Sequence, residues 1–161
     1  MKPLNPKSLK QKDFQKYGDI IDTSQKVPFE INDGRCLRYN DLANLNFTNG
    51  QAGISLFESK KISLPYKFNF MEKHPLGSQA FIPVFGSKFI VVVAQDNNGK
   101  PGRPEVFITK PGQGVNYHKN VWHGILAPLE DPGLFVVIDW IGSGKNLDTN
   151  TYKDWYFIEK T

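Results

Sequence analysis

From Asp19 onward, short runs in which every residue or every second residue is apolar alternate with clusters of Gly, Pro, Asn and Asp. Antiparallel sandwiches and barrels are punctuated this way. Candidate strands run over 19–22, 37–42, 53–60, 67–72, 79–83, 89–95, 105–109, 121–126, 134–140 and 156–159. Two of them, around Phe89-Ile90-Val91-Val92-Val93-Ala94 and Leu134-Phe135-Val136-Val137-Ile138, are apolar throughout and read as buried strands. The segment 95–102, Gln-Asp-Asn-Asn-Gly-Lys-Pro-Gly, is a turn, because Asn and Gly supply the backbone angles and Pro removes a ladder donor. Near the start, Ser8 and Gln11 have capping-box spacing, and Leu9, Phe14 and Tyr17 follow before Gly18 as a C-terminal stop. The pattern predicts an all-β, barrel-like fold with a short N-terminal helix.

The chain of 161 residues, 39% of them hydrophobic, can bury a core of its own. No linker, repeat or low-complexity stretch divides it, so one domain over residues 1–161 is expected. The first residues lack a secretory signal, and the longest apolar runs fall short of the roughly 20 residues that cross a bilayer. Cys36 has no partner cysteine and no evident base beside it, which points to a cytoplasmic protein and away from a cysteine nucleophile. The formal charge of +4 raises the question of nucleic acid. Its lysines gather near the start (Lys2, Lys7, Lys10, Lys12, Lys16) or scatter among acids, without a recognition-helix or RNA-binding signature, so the reading is a solvated basic surface. Gly142-Ser143-Gly144-Lys145 lacks phosphate-loop spacing and reads as a turn.

All three histidines fall into two clusters. Glu72 and His74 are two apart, which on a strand puts both side chains on one face, and Gln79 follows beyond Pro75-Leu76-Gly77-Ser78. If the chain turns there, a carboxylate, an imidazole and an amide converge. In Tyr117-His118-Lys119-Asn120-Val121-Trp122-His123 the two histidines have opposite parity, and His123 is the one expected on the Glu72 face.

These clusters resemble the two cupin motifs. Glu72-x-His74-x4-Gln79-x6-Gly86 keeps the first spacing, with Glu at the first His position and Gln at the Glu position, and Gly112-x5-His118-x-Asn120-x2-His123 keeps the second. The surrounding strings Glu72-Lys73-His74-Pro75-Leu76-Gly77, Gln79-Ala80-Phe81-Ile82-Pro83, Gly114-Val115-Asn116-Tyr117-His118, Tyr17-Gly18-Asp19 and Arg38-Tyr39-Asn40-Asp41-Leu42 are similar to those of bacterial ureidoglycolate lyases. The resemblance implies a cupin-like double-stranded β-helix, a jelly-roll barrel. It also implies a homodimeric lyase of allantoin catabolism that splits (S)-ureidoglycolate into glyoxylate and urea, with a divalent metal, commonly nickel, as cofactor.

The donor types suit a borderline divalent cation, and without a thiolate they disfavour structural zinc. A metal held by His74, Gln79 and His123 would lower the pKa of the substrate hydroxyl and hold its carboxylate; Gln79, a neutral amide, would bind the ion more weakly than a carboxylate. Cleaving a carbinolamide needs one group to take the hydroxyl proton and one to protonate the departing nitrogen. Glu72 or a histidine is the expected base, and His118 or Tyr117 the acid. Arg38 or Lys88 is expected to clamp the substrate carboxylate, with Trp122 lining the cavity and Asp139 facing it or ending its strand. The competing readings are a cupin that binds a small acid or sugar without turnover and a metal-dependent cupin oxygenase.

Overall fold

A computed structural model, describing residues 2–160, forms these runs into strands. The principal ones are β1 (Gly18–Ile21), β2 (Gln51–Glu58), β3 (Tyr66–Lys73), β4 (Gln79–Pro83), β5 (Phe89–Ala94), β6 (Glu105–Ile108), β7 (Gly114–Tyr117), β8 (Trp122–His123), β9 (Leu134–Ile141) and β10 (Asp148–Ile158). One sheet runs in the order β1-β7-β4-β9-β2. The other runs in the order β10-β3-β8-β5-β6, with Lys2–Leu4 added beside β10, Lys7–Ser8 beside β6 and Ala127–Pro128 against β5. The two sheets curl around a shared core in a cupin-like half-barrel.

That core takes Phe89, Val91 and Val93 from β5, Phe107 from β6, Phe81 from β4, Val115 and Tyr117 from β7, and Phe135 and Val137 from β9. Leu9, Phe14 and Tyr17 close one end. The alternate residues of β5, Ile90, Val92 and Ala94, point the other way into a second apolar cluster with Met71, Trp122, Tyr156 and Ile158. A strand buried on both faces has no polar position to offer, which is why Phe89–Ala94 is apolar without a break.

The N-terminal element departs from expectation. The helix is a single turn, Gln11–Phe14, capped at Lys10 without a side-chain hydrogen bond. Ser8 instead lies in a strand paired with Ile108, and Gln11 Oε1 accepts from Ile20 N–H, so the expected capping box does not form. Gly18 opens β1 rather than stopping the helix; a Cβ there would come within 2.0 Å of Asn116 O. The expected strand over 37–42 shortens to Cys36–Arg38, half of a hairpin with Phe29–Ile31, and Asp41 turns left-handed at φ 51°. The stretch 121–126 yields only β8, while β7 and most of β10 were not foreseen: β10 is mostly polar along its length, and β7 lies in the stretch whose histidine spacing drew attention instead. The turn over 95–102 forms a tight hairpin, with Asn98 and Gly99 both at positive φ.

Candidate active site

Strand pairing decides which side chains meet. His123 on β8 is directly opposite Glu72 on β3 and Val93 on β5, so it shares the inner face with both. Glu72 and His74 are two residues apart, and the structure brings ligand atoms of Glu72, His74 and His123 within 4.8 Å of one another. Tyr117 on β7 stacks flat on His123, with centroids 4.4 Å apart and planes 3° from parallel. Gln79 on β4 is the cross-strand partner of Tyr117 and is buried beside it. The cluster therefore sits at one end of the inner face, where four strands contribute.

The hydrogen bonds fix the imidazole tautomers. His74 Nδ1 is 2.8 Å from Asn146 O and His123 Nδ1 is 3.0 Å from Gly124 O. A carbonyl only accepts, so each Nδ1 carries a proton, and in the neutral form of each ring Nε2 is left as a lone pair. Both Nε2 atoms and Gln79 Oε1 are buried with no hydrogen-bond partner among the described residues. Buried acceptors in this state are costly unless a ligand completes them. Burial, reinforced by neighbouring His74, pushes His123 down to about 3, which keeps it neutral. Burial also raises Glu72 above the ordinary carboxylate value, with His74 acting in the opposite direction. Tyr117 is raised by burial and then by Glu72, so its hydroxyl stays protonated.

Glu72 and His123 open onto a cavity of about 390 Å³ walled by Phe57, Phe81, Ile125 and Leu126, with Glu58 and Ser59 at its side. A larger hollow of about 500 Å³ beside Asp19 and Asn44 holds none of the clustered donors. Asp139 lies next to the cluster, where its Oδ2 accepts from Gln79 Nε2 at 3.2 Å. That bond turns the Gln79 amide nitrogen toward Asp139 and leaves its oxygen free.

Four expected site residues lie elsewhere. His118 follows the end of β7, and its Nε2 lies 3.1 Å from Asp19 Oδ2 instead of joining the clustered donors. Trp122 precedes an inward His123, so strand alternation turns it outward into the second cluster, where Nε1 donates to Asp96 Oδ1 at 2.7 Å. Lys88 pairs with Glu130 at 3.1 Å, five residues along β5 from Val93, or roughly 16 Å at the usual rise. Arg38 is exposed on the hairpin, its guanidinium 5.9 Å from the Phe29 ring. Within one chain, then, Arg38, Lys88 and Trp122 do not line the cavity that Glu72 and His123 open onto, and His118 lies outside the clustered donors.

Two residues to which the sequence assigned no role hold the cluster together. Asn120, left-handed at φ 66°, donates its N–H to His74 O at 2.8 Å and so ties the two histidine segments to each other. Asn146 carries the carbonyl that His74 meets, from a tail segment with no visible motif. A lone asparagine just before the last strand gives no sequence signal of such a role.

Fold and donor set together define a cupin-like barrel with a carboxylate and two imidazoles converging at its inner end. A family profile described as ureidoglycolate lyase matches residues 1–159. The chain is 45% identical over 161 residues to ureidoglycolate lyase 2 of Rhizobium meliloti (strain 1021), covering 99% of each chain. It is 47% identical over 148 residues to the ureidoglycolate lyase of Rhodobacter capsulatus, covering 91% of this chain and 92% of the relative. The chain belongs to the ureidoglycolate lyase family.

Proposed function

We propose that this protein cleaves (S)-ureidoglycolate into glyoxylate and urea, as a step of purine catabolism. The observation that carries the reading is the convergence of Glu72, His74 and His123 within 4.8 Å, inside a chain whose relatives bear that name along their full length. The substrate is a carbinolamide. Glu72, its proton affinity raised by burial, takes the hydroxyl proton. The oxygen's electron pair forms the carbonyl of glyoxylate as the carbon–nitrogen bond breaks, and the Tyr117 hydroxyl delivers a proton to the urea nitrogen. Return of the proton from Glu72 to Tyr117 resets the site. Phe57, Phe81 and Leu126 wall the cavity and limit water around the transferring protons.

A divalent metal, nickel among the candidates, fits the donors. The lone pairs on His74 Nε2, His123 Nε2 and Gln79 Oε1 are of the neutral nitrogen and oxygen type that such ions take, and all three are buried without a protein partner among the described residues. When bound, the ion would lower the hydroxyl pKa and offset the substrate carboxylate, which no Lys or Arg lining the cavity does.

The partner we assign is a second copy of the chain, docked on the outer face of the five-stranded sheet; the free, exposed Cys36 favours a reducing compartment such as the cytoplasm. Incubating purified protein with ureidoglycolate tests the activity. Release of equal glyoxylate and urea is expected. No release would leave a binding role ahead, and oxygen consumption would favour an oxygenase.

A further inference from the structure

Asn146 lies between β9 and β10 and grips the His74 turn at two points. Its backbone carbonyl accepts from His74 Nδ1–H at 2.8 Å, and its side-chain Oδ1 accepts from Leu76 N–H at 2.7 Å. The residue between, Pro75, has no N–H and holds His74 in extended backbone, so Leu76 carries the first main-chain donor after the histidine. We propose that Asn146 is the positioning residue for His74: its side chain anchors the 142–147 segment to Leu76, and its carbonyl thereby dictates which imidazole nitrogen faces Glu72 and His123.

Each part of this follows from hydrogen-bond chemistry. With Nδ1–H committed to the carbonyl, Nε2 keeps its lone pair inside the cluster, where it is buried and unpartnered. Were the carbonyl to move, the neutral ring would be free to carry its proton on Nε2, and a proton there occupies the very lone pair that a cation or a substrate proton would use. A carbonyl behind an imidazole also raises the ring's basicity as a donor. The Asn120 N–H on His74 O fixes the histidine's backbone but not its ring, so that bond cannot substitute. Alanine at position 146 would leave Leu76 N–H without its acceptor and the carbonyl without its anchor, whereas aspartate offers an oxygen of the same reach.

This inference rests on reading His74 as an inward donor of the lyase site, and its test separates the two. The tautomer of His74 is read in the metal-free protein at about pH 8, where free imidazole is neutral, from imidazole proton–nitrogen correlation spectra. Ni2+ affinity is then measured by titration calorimetry. Wild type is expected to show Nδ1–H at His74. Asn146→Ala is expected to shift the ring toward the Nε2–H form and to bind Ni2+ about 10- to 100-fold more weakly. Asn146→Asp should restore both properties. Lys145→Ala, which removes only the ion pair to Asp148 in the same segment, should change neither. Should the alanine variant not fold, Asn146→Ser, too short to reach Leu76, carries the same comparison. A wild-type tautomer together with wild-type Ni2+ affinity in Asn146→Ala would overturn the proposal. A tautomer that responds in a protein that binds no Ni2+ would uphold the positioning role and bring down the metal reading alone.

Discussion

His74, His118 and His123 carry the same side chain into three different settings. His123 is buried under Tyr117 and held neutral, His74 is fixed by a carbonyl behind its ring, and His118 faces the Asp19 carboxylate away from the cluster. In the proposed mechanism, proton transfer therefore falls to Glu72 and Tyr117. Glu72→Gln keeps the shape and removes the base, so kcat/KM is expected to fall about 100- to 10,000-fold in a glyoxylate-release assay. The base works only when deprotonated, and burial raises its pKa, so wild-type kcat/KM should climb with pH through a limb above the ordinary carboxylate range. In the residual activity of Glu72→Gln that limb should vanish. Tyr117→Phe retains the flat packing on His123 but loses the donor, and a fall of similar size is expected with little change in thermal midpoint. His118→Asn should keep kcat/KM within a few-fold of wild type; a loss as large as that of Glu72→Gln would return His118 to the mechanism.

At the scale of elements, β8 shows how two adjacent residues serve opposite faces. His123 reaches the site, while Trp122 fills the second apolar cluster, donates to Asp96 and packs under Lys73, whose Nζ is 4.8 Å from its ring. Trp122→Phe is expected to lower unfolding free energy by about 1–3 kcal/mol in urea titration, through lost packing and the lost indole hydrogen bond to Asp96, which keeps Lys73 and Gly99 as partners, while kcat/KM stays near wild type. The N-terminal segment is tied down differently. Burial alone would raise the Glu105 carboxyl, but hydrogen bonds from Lys16 and Tyr17 outweigh it and hold Glu105 below its ordinary value. A lowered native pKa gives stability that is present above the unfolded value of about 4.3 and is lost as pH falls through the native one. Glu105→Gln should therefore destabilise at neutral pH, and its stability should fall less steeply than wild type's on acidification. Elements with a one-sided or continuous apolar pattern were legible in the sequence: β4 and β5 lie where expected because burial wrote itself into Phe81, Ile90 and Val92. The polar strand β10, the single-turn helix and the short β7 were not, because long-range pairing creates them and leaves little local pattern. The site follows the same division. Glu72, His74 and His123 could be read from period-two spacing, and the opposite parity of His118 already set it apart, but the left-handed turn at Asn120, whose N–H ties the two histidine segments together, shows only in three dimensions.

For the whole molecule, the five-stranded sheet raises a question that a single chain does not answer. Its inner face is core, yet on its outer face Leu56 sits directly across from Val136, and Val136 from Ile82; Ile54 sits across from Ile138. Ile54 is 76% exposed and Leu56 65%, far more than residues flanking a closed core. Contiguous apolar rows of this kind mark association surfaces, and a twofold contact uses each residue twice, so one change counts double. Burying a leucine or isoleucine contributes on the order of 1.5–3 kcal/mol, enough for such a row to hold two copies together. Leu56→Asp places a carboxylate in that row without touching the interior, because the side chain already points to solvent in the isolated chain. Wild type is expected to sediment at twice the 18.3 kDa of one chain, and Leu56→Asp to sediment as a folded monomer with an unchanged circular dichroism spectrum. Phe57, the next residue along β2, turns inward and walls the cavity, so the contact would also brace the wall behind the substrate. Monomerisation should then raise KM more than it lowers kcat. A wild-type protein that sediments as a single chain at micromolar concentration would remove the partner and leave this apolar face unexplained.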